Sequence, residues 1–411
     1  MTTGYQNRPE PKIGVRPWLM LAMATLGFAL NFWAWALLSP LGPRFKDGLG
    51  LSAFQQALLV AVPVVVGSLG RIPVGALTDR FGGRIMFPLV SGVTILPVLY
   101  LGVAGHTSFA GLLTGGFFLG VAGTAFAIGV PFVRDWFPAH RRGLAIGVFG
   151  AGMGGTAISA LTTVDLAGSF GLTAPFVFTA AALACYAAVA AVVLRDAPGR
   201  NVPTEPLRSR LGAALRLPET WECSALYTVA FGGYVAFSVY LPAYLRTAYQ
   251  LTPADAANRM AGFVLLAVLM RPVGGWLSDR LGPLHVLGGS MAVVATGALV
   301  QSFTPSLLPL GTITFLSIAA ALGAASGATF ALVALLAPAN RVGAVTGVVG
   351  AAGGLGGFVP PLIMGVTYGQ FGTYALGLGA LTAVASAALV FTVTTVRRAI
   401  GRHDARAMQP A

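Results

Sequence analysis

Charge is what this chain has least of. Only 9% of its 411 residues are charged, where a soluble domain carries about 25%. Acids are scarcest, with 12 Asp and Glu against 25 Lys and Arg. So few charges cannot cover a surface in water. Cysteine is nearly absent: Cys185 and Cys223 both fall in or beside apolar runs and suggest neither a disulfide framework nor a metal site. The four histidines, His106, His140, His285 and His403, sit near the ends of predicted helices. No buried catalytic or metal-ligating cluster is visible, so neither an enzyme nor a bound cofactor is expected. The first apolar stretch has no small-residue cleavage site of the signal-peptide kind and runs into Trp33, Trp35 and Pro40. It is expected to be retained.

What is present is hydrophobic length. Apolar residues make up 56% of the chain, and the mean hydropathy is +0.80. An apolar run of about 20 residues spans a bilayer as a helix, and the chain contains twelve such runs. They are predicted near 18–38, 53–77, 84–104, 109–133, 143–164, 173–194, 223–245, 256–277, 284–303, 309–336, 342–366 and 372–396. Arg44, Lys46 and Asp47 are expected in a short loop after the first. The fold class is therefore all-α integral membrane, with twelve transmembrane helices in two six-helix, pseudo-symmetric halves. The halves are expected at 18–194 and 221–397, joined by a basic polar connection at 195–220 and flanked by tails at 1–17 and 398–411.

The basic residues give an orientation. With the N-terminus inside, nineteen of the 25 fall on the tails and the inner loops. Arg44, Lys46, Arg246 and Arg259 fall outside, and Arg71 and Arg271 lie within spans. That asymmetry puts both termini in the cytoplasm of a multi-pass plasma (inner) membrane protein. It also accounts for the net charge of +13 without a nucleic-acid partner. Membrane lipid is the expected surrounding, and a monomer the expected state.

An internal repeat carries the architecture. Arg71-Ile-Pro-Val-Gly-Ala-Leu-Thr-Asp79-Arg80-Phe-Gly82 returns 200 positions later as Arg271-Pro-Val-Gly-Gly-Trp-Leu-Ser-Asp279-Arg280-Leu-Gly282. Gly143-Leu-Ala-Ile-Gly-Val-Phe-Gly150 is echoed at Gly343–Gly350, and Pro138 at Pro338. The stretch Gly75–Gly82 and its copy resemble the cytoplasmic gate motif of the major facilitator superfamily. The resemblance covers nearly the whole chain and implies that fold, whose halves are related by an axis along the membrane normal. It also implies gating roles for Asp79, Arg80, Arg134, Asp279 and Arg280. Carboxylates are favoured at helix N-termini by about 0.3–1 kcal/mol. Asp79 is thus expected to cap the eleventh helix, and Asp279 the fifth, when the cytoplasmic side is closed.

Arg71 precedes Asp79 by eight residues, about 12 Å along a helix, which places it near mid-bilayer. Arg271 stands at the same spacing from Asp279. A charge at that depth costs at least about 2.5–3.5 kcal/mol, so both side chains must face a shared interior. All twelve acids, from Glu10 to Asp404, fall in loops or at helix ends, so neither arginine has a carboxylate at its own depth. Two such guanidinium groups repel by about 2 kcal/mol at ~8 Å and an effective dielectric near 20. A small anion would relieve that repulsion and accept forked hydrogen bonds. The same lack of acid disfavours a carrier for cations or basic drugs.

Glycine supplies the rest of the expected site. The fifth helix carries Gly150, Gly152, Gly154 and Gly155; the eleventh carries Gly347, Gly350, Gly353, Gly354, Gly356 and Gly357. Gly150-x-Gly152-x-x-Gly155 is no dinucleotide fingerprint, since no strand precedes it and no acid lies about 20 residues on. Small residues let helices approach closely and leave backbone to line a narrow cavity, with Gly152 and Gly353 as candidates. The stretches Gly347–Pro361 and Gly150–Ala157 resemble the two signatures of the nitrate/nitrite porter family. Asn31–Trp35 with Ser39–Pro43 resembles its first helix, and Tyr227–Gly233 with Tyr240–Pro242 its seventh. The resemblance implies that Arg71 and Arg271 are paired substrate arginines, with Phe126, Tyr227, Phe32 and Trp35 beside them, and that the substrate is nitrate or nitrite. Phe126 has a second-half echo in Phe330. The chain departs from the first signature at Met153, where the family usually has asparagine. A site with two arginines and no acid favours anion-for-anion exchange by alternating access. Proton-coupled nitrate uptake, and a carrier for another small anion such as a mono- or dicarboxylate, are the competing readings.

Overall fold

The computed structural model describes residues 15–138, 141–198, 200, 205–338 and 341–401. Most of the two tails, and His140 and His403, lie outside the described residues. Among the described residues, twelve helices are long and apolar enough to cross a membrane. They are α1 Val15–Leu49, α2 Ala53–Phe81, α3 Gly83–Val103, α4 Phe109–Trp136, α5 Ala145–Phe170, α6 Ala174–Val193, α7 Pro218–Tyr249, α8 Pro253–Leu281, α9 Pro283–Ser302, α10 Leu307–Leu336, α11 Ala344–Phe371 and α12 Ala375–Gly401. In hydrocarbon a helix satisfies its own backbone. Large apolar side chains such as Leu96, Val103, Phe170, Val192, Leu269 and Phe303 are exposed on its outer surface, where lipid is the solvent. An even number of crossings brings the chain back to the side it left. That side is called here the terminal face, and the opposite one the far face.

The ends of the helices follow local chemistry. Ser52 and Gln55 form a reciprocal capping box at the start of α2, with bonds of 3.1 and 2.8 Å. Thr252 caps α8 through the Asp255 amide. Gly82 and Gly282 end the two repeat motifs with φ of 84° and 82°, a left-handed backbone that favours glycine.

Several spans are irregular at mid-depth. α2 is interrupted at Gly70, immediately before Arg71. α4 tightens to a 3₁₀ turn over Gly120–Thr124, and α5 does so over Ala151–Gly154. α11 breaks between Gly356 and Val359. In contrast α8, the copy of α2, runs unbroken past Arg271. The two halves share a repeat but not the same stiffness.

Across the interface between the halves α2 packs on α11, and α5 on α8. The far face is sealed. Ser39 Oγ donates to the Val239 carbonyl at 2.7 Å. Arg246 pairs with Asp47 at 2.7 Å. Gly365 of α11 lies so close to Ala57 of α2 that a Cβ would stand 2.6 Å from that methyl.

Three expectations are corrected. The loop expected around Arg44, Lys46 and Asp47 is helical: after a turn at Trp35–Leu38 the chain continues as a helix over Leu38–Leu49, ended by Gly50 with φ 62°. Its buried face of Leu38, Leu41 and Phe45 packs into the core, which outweighs the two prolines it contains. The polar connection is also part helix. A linker helix covers Leu207–Leu215, and α7 already begins at Pro218. The fifth span extends to Phe170, so Asp165 lies within a helix, on its exposed side.

Candidate anion-binding site

The guanidinium groups of Arg71 and Arg271 meet between the halves. Arg71 is only 9% exposed. Its Nε donates to the Gly123 carbonyl at 3.3 Å, within the 3₁₀ turn of α4. Its Nη1 crosses to the other half and donates to the Gly350 carbonyl of α11 at 3.0 Å. Arg271 crosses the opposite way. Its Nη1 rests on Met153 Sδ of α5 at 2.7 Å, and its Nη2 donates to the Tyr227 hydroxyl at 2.8 Å. Each arginine therefore touches the glycine-rich helix of the opposite half.

Aromatic faces take the place a counter-ion would have. The Phe126 ring centre lies 5.4 Å from the Arg71 guanidinium carbon and 5.9 Å from that of Arg271. Phe231 lies 5.6 Å from each. Phe126 comes from the N-terminal half and Phe231 from the C-terminal half, so one ring from each half serves both cations. Phe330 faces Arg271 alone, at 5.6 Å. A cation over a ring gains about 0.5–2 kcal/mol, which offsets part of the burial of two like charges. The ring faces thus lie against the arginines.

The rings themselves form a stack on α7. Tyr227 and Phe231 are parallel at 5.0 Å, and Phe231 and Tyr234 stack at 5.7 Å. Phe330 meets Tyr227 edge-on at 4.8 Å. The Tyr234 hydroxyl lies 3.3 Å from Thr156 Oγ1 of α5, another link between halves. Among the described residues no carboxylate pairs with either arginine, and no group of three His, Cys, Asp or Glu could hold a metal.

The expected residues divide. Arg71, Arg271, Phe126 and Tyr227 come together as one site. Gly353 borders it indirectly, since a Cβ there would fall on the Tyr227 ring. The glycine facing the Arg71 guanidinium is Gly354, whose Cβ would stand 3.3 Å from Nη1. Gly152 faces Phe28 of α1 instead, with a would-be contact of 2.6 Å. Phe32 and Trp35 sit one layer behind the site. Phe32 packs edge-on to Phe28, which leads on to Phe126. Trp35 Nε1 donates to the Pro63 carbonyl at 3.2 Å. Helix 1 turns these two rings toward α2 and α4, so their contacts are with the core of their own half. Phe231 escaped sequence reasoning. Its signal was the spacing: four residues after Tyr227 is one turn on, on the same face.

The gating residues are apart. The Asp79 carboxylate pairs with Arg210 of the linker helix at 2.6 Å, while the helix starting at Val342 has no side-chain cap. Asp279 is exposed. Arg80 lies over Phe81 at 5.3 Å and Arg280 over Trp276 at 4.3 Å. Arg134 pairs with its neighbour Asp135 at 3.2 Å. With the far face sealed, neither expected cap is seen among the described residues.

The chain is similar to known proteins. The Major Facilitator Superfamily profile matches residues 24–257 and 224–409. The "Probable nitrate/nitrite transporter NarK2" of Mycobacterium tuberculosis is 49% identical over 94% of this chain and 98% of its own. The "Nitrite extrusion protein" of Bacillus subtilis is 35% identical over 92% of this chain and 94% of its own. The "Probable nitrate/nitrite antiporter NarK1" of Thermus thermophilus is 33% identical over 69% of this chain and 66% of its own. Among solved structures, a bacterial homologue of the human lysosomal transporter Spinster, inward-facing and occupied, superposes with a TM-score of 0.76. At 19% identity, over 93% of this chain and 97% of that one, it speaks to the fold alone. The chain belongs to the Major Facilitator Superfamily and, within it, to the nitrate/nitrite porter family.

Proposed function

We propose that this chain exchanges nitrate and nitrite across the plasma membrane, with Arg71 and Arg271 closing on the anion from opposite halves. One observation carries the reading: a buried guanidinium, Arg71, and a partly buried one, Arg271, share two aromatic faces and, among the described residues, no carboxylate. A guanidinium has five N–H donors. Each arginine spends two on the protein, which leaves three on each for a ligand. A flat oxyanion of a few atoms accepts from both forks at once. Gly353 and Gly354 keep α11 close enough for the Arg71 side to close. Gly152, Phe32 and Trp35 support the wall through Phe28 rather than touching the ligand.

The halves, 18–194 and 221–397, rock about this pair in a monomer. The basic terminal face is cytoplasmic by the positive-inside rule, so the conformation described here is closed to the outside. When the cytoplasmic side closes, Asp79 moves to the N-terminus of the helix starting at Val342. Asp279 moves to that of the helix starting at Arg142. Arg80, Arg134 and Arg280 line the same gate.

The test is counterflow of labelled nitrate into nitrite-loaded proteoliposomes. Wild type should accumulate label, and nitrite outside should compete. Arg71→Lys and Arg271→Lys keep the charge but lose the planar fork, and each should lower the rate at least about tenfold, since one charged hydrogen bond is worth about 1.5–3 kcal/mol. Full activity in both variants would make the arginines structural. Counterflow with a mono- or dicarboxylate but not with nitrate would move the chain to another small anion.

A further inference from the structure

The connection between the halves is bonded to the repeat motif at every turn. Asp196 Oδ1 accepts from the Arg84 amide at 3.2 Å. Its carboxylate covers Gly82, where any Cβ would collide with it. Arg200 closes the end of α2, donating to the carbonyls of Thr78 at 3.2 Å, Asp79 at 3.0 Å and Arg80 at 3.2 Å. Arg210 Nη2 then reaches the Asp79 carboxylate at 2.6 Å. All of these partners belong to the N-terminal half.

The other end of the linker helix is tied to the C-terminal half. Thr220 Oγ1 of α7 donates to the Ala214 carbonyl at 2.7 Å, and Trp221 Nε1 to that of Leu215 at 2.8 Å. The helix also packs against the start of α11. It thus spans the terminal face from α2 to α7 and α11. Through Arg210 it holds the Asp79 carboxylate.

We propose that the linker helix is a strut that holds the terminal face open, and that Arg210 and the N-terminus of α11 compete for Asp79. While Arg210 holds the carboxylate, α11 starts without a side-chain cap and the two halves stay apart on this face. For the face to close, the pair must break and the strut must shift. The strut thereby sets how long the carrier dwells in each orientation, independently of what it carries. The inference rests on the rocking mechanism above. Its failure is separable from failure of the substrate assignment, because it is read from distances rather than from transport.

Spin-label distances test it. In a Cys185→Ala, Cys223→Ala background, Ile85→Cys with His285→Cys reports the terminal face, and Val103→Cys with Phe303→Cys the far face. All four positions are exposed. Arg210→Gln should shorten the first distance and lengthen the second in a larger share of molecules. Asp79→Asn should do the reverse or leave the terminal face fully open, because it removes the cap as well as the pair. Arg210→Asp combined with Asp79→Arg restores the pair but not the cap, so it should keep the terminal face open as Asp79→Asn does. Raising the ionic strength should move wild type the way Arg210→Gln does and leave Arg210→Gln itself unmoved, which keeps the test available should a variant not fold. Unchanged distances in Arg210→Gln, or a shift in the same direction as Asp79→Asn, would overturn the strut.

Discussion

Tyr227 is the residue on which the site's geometry turns. It is 1% exposed, its ring lies parallel to Phe231, and its hydroxyl fixes one end of the Arg271 fork. Tyr227→Phe keeps the stack and removes only the hydroxyl. A hydrogen bond to a charged group is worth about 1.5–3 kcal/mol, so KM for nitrate in counterflow should rise about tenfold or more with the fold intact. An unchanged KM would reduce the tyrosine to packing. The arginines themselves were legible in the sequence. Charges inside apolar runs are costly, and no acid was expected at their depth, so their placement between the halves followed. Phe231 was not legible in that way. It is one of 25 phenylalanines, and its one signal, a spacing of one turn from Tyr227, does not separate a ring under two cations from a ring in the core. Met153 stood out as a departure from the family pattern. That its sulfur would meet Arg271 from the opposite half depends on a helix crossing that sequence does not encode locally.

Helix number and order were readable because hydropathy acts over a whole span. Breaks within helices were not. Gly120 and Gly123 lie in the 3₁₀ turn of α4 and Gly356 and Gly357 at the break in α11, while the unbroken α8 contains Gly262, Gly274 and Gly275. Nor does the sequence give what each glycine packs against. The linker helix was missed for a different reason: Leu207, Leu211, Ala214 and Leu215 do stand at helical spacing, but nine residues are too few to form a helix alone, and contacts with Asp79 and α7 hold it. The same distinction sorts the glycine substitutions. A Cβ on Gly354 would press on Ser68 and stand 3.3 Å from Arg71 Nη1, and overpacking of this kind costs about 1–3 kcal/mol. Gly354→Ala should part α11 from α2 at the depth of the site and lower turnover at least about tenfold. Adding Ser68→Gly clears the space and should recover a substantial part. Gly154→Ala, with nothing within 4 Å of its Cβ, should transport like wild type. Equal loss in Gly154→Ala and Gly354→Ala would mean that helix flexibility, not clearance around Arg71, is what these glycines supply.

For the molecule as a whole, the question is what the carrier does when empty. In the conformation described here Arg71 donates to the Gly350 carbonyl and Arg271 leans on Met153, each across the gap between halves. These contacts tie the halves together, yet a carbonyl and a thioether neutralise neither charge. To turn over, an empty carrier must release both contacts and carry two uncompensated cations through a closed, water-poor intermediate. Their repulsion alone is about 2 kcal/mol at ~8 Å and an effective dielectric near 20, and desolvation adds to it. An anion bridging both forks replaces both contacts and brings the net charge near +1, so the loaded carrier crosses more easily than the empty one. Trans-stimulation follows. Vesicles loaded with labelled nitrite should release it at least about tenfold faster into nitrate than into an anion-poor buffer of equal osmolarity, a ratio equivalent to about 1.4 kcal/mol in the barrier. Release at the same rate into both media, in the presence of an imposed proton gradient, would show that the empty carrier returns freely. Coupling would then have to come from a proton rather than from the second anion.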